Sequence, residues 1–281
     1  MKNSALLLTA VITLVASSCS KKEEPQVKVI PLKKRQVMGT ICSNFAFCVS
    51  LGIVIPEGDD YVPKSKAPLP DSFFLDMPES RERGNDLTVD AWAVIYGLGS
   101  YFMHVSQGKP YSDTGNLNPA FTFNQISKGS PNFTPLLDNL YLLKTQGACS
   151  FGQMYFDPDD IATQPTEAQI QEAAKNRING WAKLDCKNTA WVKMAIRDGH
   201  PVVVNSFFSG LYKDDFVSPF TWNYEKQPFG QRSSLVLSGY DDSKKAFKAL
   251  NSWGNTWGDN GFCWVSYQLM QNNWNEAYVV F

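Results

Sequence analysis

Residues 251–266 read NSWGNTWGDNGFCWVS, and this stretch limits the fold of the chain more narrowly than its other segments do. Three glycines, Gly254, Gly258 and Gly261, punctuate it, and two indoles, Trp253 and Trp257, stand four positions apart among them. Glycine at this density marks backbone that turns sharply or comes close to other backbone. The alternating run Ala246, Phe247, Lys248, Ala249, Leu250 precedes the stretch and a second apolar run begins at Phe262, so the pattern predicts strand, glycine corner, strand.

Upstream the period changes. Trp92, Ile95, Tyr96, Leu98, Tyr101 and Phe102 recur at helical spacing, with Thr88 or Asp90 as the N-cap. Thr134 and Pro135 predict the start of a second helix whose apolar face is Leu136, Leu137, Leu140, Tyr141 and Leu143, and Gly147 ends it. Thr166 with Gln169 fits a capping box for a third helix. A fourth runs from Thr189 to Arg197, stops at Gly199 and leads into the apolar strand at residues 202–204. Helices crowd the first half and strands the last third, which is the α+β pattern.

The order and spacing of Gly239-Tyr240-Asp241-Asp242, then NSWG, then WGDNGF, resemble the C-terminal signature of papain-family cysteine peptidases. Residues 69–75, with Leu69, Pro70 and Asp71, are similar to the opening of a mature papain-like domain, and residues 116–121 to a later segment of it. The resemblance implies a papain-like fold: a helical N-terminal half, an antiparallel β-barrel-like C-terminal half, and a cleft between them. Chemistry of that kind needs a thiolate at the start of the long helix, an imidazole across the cleft, and an Asn that orients the ring.

Carried over residue by residue, the resemblance puts the nucleophile at Ala91, directly before Trp92-Ala93, and the imidazole at Ser233, counted back from Gly239-Tyr240. The oxyanion-hole amide falls on Asn85, and the orienting Asn is Asn251, with Trp253 as the covering indole. A methyl group cannot attack a carbonyl, and a hydroxyl cannot cycle charge near neutral pH as an imidazole does. No His follows His200 and no Cys lies between Cys48 and Cys149, so a shift of register restores neither partner. The expected site therefore holds only vestigial positions, Ala91, Ser233, Asn251 and Asn85, lined by Trp92, Trp253 and Asp90. Asp90 is expected to satisfy the helix dipole with a fixed carboxylate.

The N-terminus reads as an export signal. Lys2 is followed by an apolar run over residues 5–16, the length of a signal h-region and too short to span a bilayer. It ends in Ala16-Ser17-Ser18-Cys19, which resembles a bacterial lipoprotein processing site with Cys19 as the lipid-bearing residue. The expected organisation is a signal peptide over residues 1–18, a tether and short extension over 19–68, and the papain-like domain over 69–281. Export and lipid anchoring to the cell envelope follow, with the membrane reached through the anchor alone. Of the six cysteines, the five after Cys19 leave the pairings Cys42–Cys48 and Cys149–Cys186 open in an oxidising compartment. Only two histidines accompany them and no cysteines are closely paired, so no metal site and no cofactor are expected. A net charge of −1 makes no electrostatic case for nucleic acid.

Three functions are compatible with these readings. The first is an inactive papain-like domain that binds a polypeptide or partner protein. The second is a hydrolase whose chemistry has moved to Asp90 or to Asp241 and Asp242. The third is a structural component of a cell-surface complex.

Overall fold

The computed structural model describes residues 58–209, 221–222 and 230–281. The expected signal segment, Cys19, the apolar run at residues 41–56 and the pair Cys42 and Cys48 lie outside the described residues.

Strand β1 (Asp59–Asp60) and strand β2 (Ser72–Phe74) precede one long composite helix, α1. It opens with a 3-10 turn at Asp86–Thr88, passes through Val89–Ala91 and wide π-type turns at Trp92–Gly99, and finishes as regular α-helix at Ser100–Gln107. Three helices follow: α2 (Ala120–Ser127), α3 (Leu136–Thr145) and α4 (Glu167–Ala173). After β3 (Trp181–Lys183) and α5 (Thr189–Arg197) come β4 (Val202–Ser209), β5 (Thr221–Trp222), β6 (Gly230–Asp241), β7 (Ala246–Leu250) and β8 (Phe262–Ser266). Helix α6 (Tyr267–Asn273) and strand β9 (Glu276–Val280) complete the chain.

Local sequence accounts for most of these boundaries. The capping box at Thr166 and Gln169 forms as expected, with both reciprocal bonds in place. Helix α1 starts earlier than expected: neither Thr88 nor Asp90 caps it, and Asn85 Oδ1 accepts the Leu87 N–H at 3.0 Å. The extra 3-10 turn moves the first free amides three residues upstream. At α3 the Thr134 hydroxyl accepts from Asn139 Nδ2 at 2.9 Å instead of capping, and Pro135 is itself the N-cap residue.

The sheet runs β1-β3-β9-β4-β6-β7-β8-β5, with β2 paired to β6 off that path. It is open, with β1 and β5 at its two ends, so the expected barrel-like half is better described as a strongly populated sheet covered on both faces. Period-two alternation does the covering. Val203, Val236 and Tyr278 point into one core with Leu98 of α1 and Leu140 of α3. Val202, Val204, Leu235, Leu237 and Val279 point into the other, with Val192 and Ile196 of α5 and Leu269 of α6. A strand apolar on both faces reads as a continuous run, which is why residues 202–204 are three valines.

The two cores also explain a correction. Cys149 and Cys186 are both free thiols rather than a disulfide. Cys149 packs in the first core and Cys186 in the second, where its Sγ donates to the Trp274 carbonyl at 3.2 Å.

Candidate functional site

The first turns of α1 meet β4, β6 and the β7–β8 corner, and the expected site residues lie at this junction. Ala91 is 0% exposed and Asp90 is 0% exposed. The Asp90 carboxylate reaches across to the sheet. Its Oδ1 accepts from Asn205 Nδ2 of β4 at 2.8 Å and from the Ser234 hydroxyl of β6. Asn205 Nδ2 also lies 2.6 Å from Ser234 Oγ, so a carboxylate, an amide and a hydroxyl from three elements close on one another.

Ser233, the expected imidazole position, is 7% exposed. It lies on the same face of β6 as Leu235 and Leu237, while Ser234 shares the face of Val236 that looks toward α1. The pairing of β6 with β7 is irregular between Leu237 and Gly239, and a count back from Gly239 runs across that irregularity. Ser234, one residue on, makes the contact with the helix start.

Asn251 is buried, and its carboxamide oxygen accepts the Ser252 N–H at 2.8 Å. Its backbone carbonyl takes the Ser80 hydroxyl at 2.7 Å. Asn85 is committed to the fold as well: besides capping α1, its Nδ2 donates to the Pro158 carbonyl at 2.9 Å. The amide expected in an oxyanion hole is thus engaged by structural partners on both of its atoms.

Trp92 is buried among Tyr96, Phe156 and Phe151, with ring centroids 5.0, 5.3 and 6.0 Å away. Trp253 meets Trp257 edge to face at 4.9 Å. What it covers is a guanidinium: the Arg83 Cζ lies 5.2 Å from its ring centroid. Arg83 is buried, donates from Nη1 to Ser252 Oγ at 3.2 Å and pairs through Nη2 with Asp86 at 2.5 Å. Burial pulls its pKa below the usual arginine value, and Asp86 opposes that shift. Sequence reasoning did not find Arg83, because no motif links an Arg at the loop before α1 to an indole far along the chain.

The described imidazoles and thiols lie elsewhere. His104 stacks on Tyr111 at 4.2 Å, and its Nδ1 is 2.7 Å from the Lys109 carbonyl. His200 sits against Tyr61 and Phe281 at the far edge of the sheet. Burial raises the thiol of Cys149 to about 12, that of Cys186 to about 11 and that of Cys263 to about 12. None of the three is held as the thiolate that nucleophilic chemistry requires.

Asp241 and Asp242 occupy the β6–β7 turn. Asp242 takes the Lys193 ammonium and the Tyr267 hydroxyl, the latter at 2.7 Å. Burial pushes its pKa up, but those two donors and the Lys193 charge outweigh it and hold the carboxyl below its ordinary value. This arrangement ties α5 and α6 to β6. Among the described residues no group of three or more His, Cys, Asp or Glu is placed to hold a metal ion, and no helix is long and apolar enough to cross a membrane.

The space at the junction is small. The hollow bounded by Trp92, Tyr96, Ser234, Val236, Asn251 and Ser252 measures about 10 Å3. A space of that size holds about one water molecule.

No family model matches the chain. Over 136 residues it is 27% identical to an uncharacterized peptidase C1-like protein of Acanthamoeba polyphaga mimivirus, covering 44% of this chain and 43% of that relative. The match thus spans less than half the length of that relative. Among solved structures, xylellain, a cysteine protease from Xylella fastidiosa, superposes with a TM-score of 0.70 at 17% identity, covering 79% of this chain and 91% of that one. Digestive procathepsin L 3 of Tenebrio molitor larval midgut superposes with a TM-score of 0.59 at 15% identity, covering 80% and 73%. The proform of the ragweed pollen cysteine protease Amb a 11 gives 0.62 at 13% identity, covering 79% and 68%. At these identities the likeness establishes the fold, which is papain-like.

Proposed function

We propose that this chain, a papain-like fold, is a cysteine-peptidase homologue without peptidase activity, exported on a lipid at Cys19 and engaged in binding a polypeptide or partner protein. One observation carries the reading of inactivity. At the helix start that would present the nucleophile stands the methyl group of Ala91, wholly buried, with an Asp90, Asn205 and Ser234 cluster beside it and no imidazole or thiol among the described residues there. Relocated hydrolysis through Asp90 and Ser234 is disfavoured by their burial, at 0% and 2% exposed.

The test of inactivity is digestion of a broad peptide mixture by the purified full chain, followed by mass spectrometry. No cleavage above the buffer blank is expected. Cleavage that iodoacetamide abolishes would overturn the proposal, because it would place a working thiol in the chain.

Export rests on the N-terminal pattern alone and has its own test. In a bacterial host fed an alkyne-bearing fatty acid, the full chain is expected to take up the label and sediment with membranes, and Cys19→Ser is expected to lose both properties. A variant that keeps the label, or a parent chain that never acquires it, would remove the anchor from the proposal. The small hollow at the junction favours a binding surface outside the cleft floor, and the partner is identified only as polypeptide.

A further inference from the structure

Glycine follows Asn or Asp three times in the sequence, at Asn179-Gly180, Asp198-Gly199 and Asn260-Gly261. Such pairs are chemically labile, because glycine has no Cβ to shield its amide nitrogen from the side-chain carbonyl before it. Ring closure between the two groups must turn the linking peptide, so the fold decides which pair reacts.

Two of the three are locked. The Gly261 N–H donates to the Trp257 carbonyl at 2.6 Å, the Gly261 carbonyl takes the Asn251 N–H at 3.0 Å, and Asn260 holds a left-handed φ of +53°. Ser80 packs so closely on Gly261 that a built Cβ would lie 1.9 Å from Ser80 Cβ, which leaves that peptide no room to turn. At the second pair the Arg197 guanidinium holds Asp198 at 2.8 Å, and the Gly199 N–H donates to the Ile196 carbonyl at 3.0 Å. A carboxylate paired in this way is also a poorer electrophile than a carboxamide.

Asn179 differs on each count. It is exposed, in a bend between Ile178 and Trp181, both of which pack in the first core. Among the described residues its carboxamide has no hydrogen-bond partner. The Gly180 N–H makes one long contact, 3.3 Å to the Phe281 carbonyl, an acceptor that the Asn179 N–H already takes at 2.5 Å. Nothing lies within 4 Å of a Cβ built on Gly180, so this peptide has space to turn.

We propose that Asn179 closes spontaneously onto the Gly180 nitrogen in the folded protein and ages to an isoaspartyl linkage that loosens the β1-β3-β9 end of the sheet. The Gly180 nitrogen bonds to Asn179 Cγ and gives up its proton, the Cγ–Nδ2 bond breaks, and Nδ2 leaves with that proton as ammonia. Water then opens the succinimide. Hydrolysis of the new bond to Cγ gives aspartate, and hydrolysis of the bond to the backbone carbonyl carbon gives isoaspartate, whose main chain is longer by one methylene. The added length falls where the Phe281 N–H donates to the Gly180 carbonyl at 3.0 Å, directly before the pairings of Trp181 with Val280 and of Ala182 with Asp59.

The test holds the full chain at mildly alkaline pH, in native buffer and in guanidinium chloride. Peptide mapping by mass spectrometry reads conversion at each Asn, and an isoaspartyl methyltransferase marks the isomerised product. Asn179 and Asn260 are expected to convert at similar rates in the denaturant. In native buffer Asn179 is expected to convert within a few-fold of that rate, with isoaspartate exceeding aspartate, while Asn260 and Asp198 stay unchanged. Gly180→Ala is expected to slow Asn179 several-fold with an unchanged circular dichroism spectrum, since the methyl group enters open space on a backbone outside the left-handed region. The converted chain, separated by anion exchange, is expected to lose hydrogen-exchange protection at residues 178–183 and 277–281, while residues 89–98 keep theirs. An Asn179 that stays an amide in native buffer, an Asn260 that converts as fast there, a Gly180→Ala rate equal to the parent's, or unchanged protection in the converted chain would each overturn the proposal.

Discussion

Gly261→Ala is expected to lower the stability of the domain by about 3 to 5 kcal/mol in urea unfolding, the joint cost of an overpacked contact and a strained backbone. Gly261 has φ +85°, and a Cβ built on it would lie 1.9 Å from Ser80 Cβ and 2.5 Å from Ser80 Oγ. Ser80 cannot step aside without loss, because it is buried and its hydroxyl holds the Asn251 carbonyl. Gly261 is itself bonded on both sides: its carbonyl takes the Asn251 N–H at 3.0 Å and its N–H reaches the Trp257 carbonyl at 2.6 Å. The control is Gly108→Ala at the C-terminus of α1, where φ is +67° and nothing lies within 4 Å of the built Cβ. That change carries only the left-handed backbone cost, about 1 to 2 kcal/mol. If the two variants unfolded within about 1 kcal/mol of each other, a margin inside the spread of such measurements, the corner would not be pinned as described.

This result would bear on why residues 251–266 were legible in the sequence. Glycine and indole density reports backbone contact, which is local enough to read, and the strands on either side form as expected, though both are buried along most of their length instead of alternating. The three valines at residues 202–204 were legible for a related reason, since a strand buried on both faces loses its polar alternation. The capping box at Thr166 was legible because both of its bonds span three residues. The cap of α1 was not, because Asn85, Thr88 and Asp90 all qualify chemically and only the added 3-10 turn decides among them.

The candidate site was legible in its identities and not in its contacts. The resemblance marked Ala91 and Asn251, yet the partners of Asp90 are 115 and 144 residues away in the chain. Which of two adjacent serines faces the helix depends on a pairing irregularity that leaves no mark in the residues themselves. Arg83 under Trp253 is a contact of the same kind, made by packing across the two halves. An indole expected over an imidazole has another cation-bearing group beneath it, which keeps the corner covered where the histidine is missing.

Asp90→Ala is expected to cost about 3 kcal/mol, the order of magnitude for deleting one member of a buried hydrogen-bonded group and leaving its donors unsatisfied. With the carboxylate gone, the Ser234 hydroxyl and one Nδ2 hydrogen of Asn205 lose an acceptor in a buried place. Ser234→Ala removes one donor and leaves Asn205 on the carboxylate, so it is expected to cost about 1 kcal/mol. The double variant should cost less than the sum of the two, since the second change then removes a donor that the first had already stranded. A shortfall of about 1 kcal/mol or more in the double-mutant cycle is the expected signature of coupling. Strict additivity, or a neutral Asp90→Ala, would show that Asp90, Asn205 and Ser234 merely share a space. The start of α1 would then be held to the sheet by apolar packing, and the burial of Ala91 would no longer have a polar clamp to account for it.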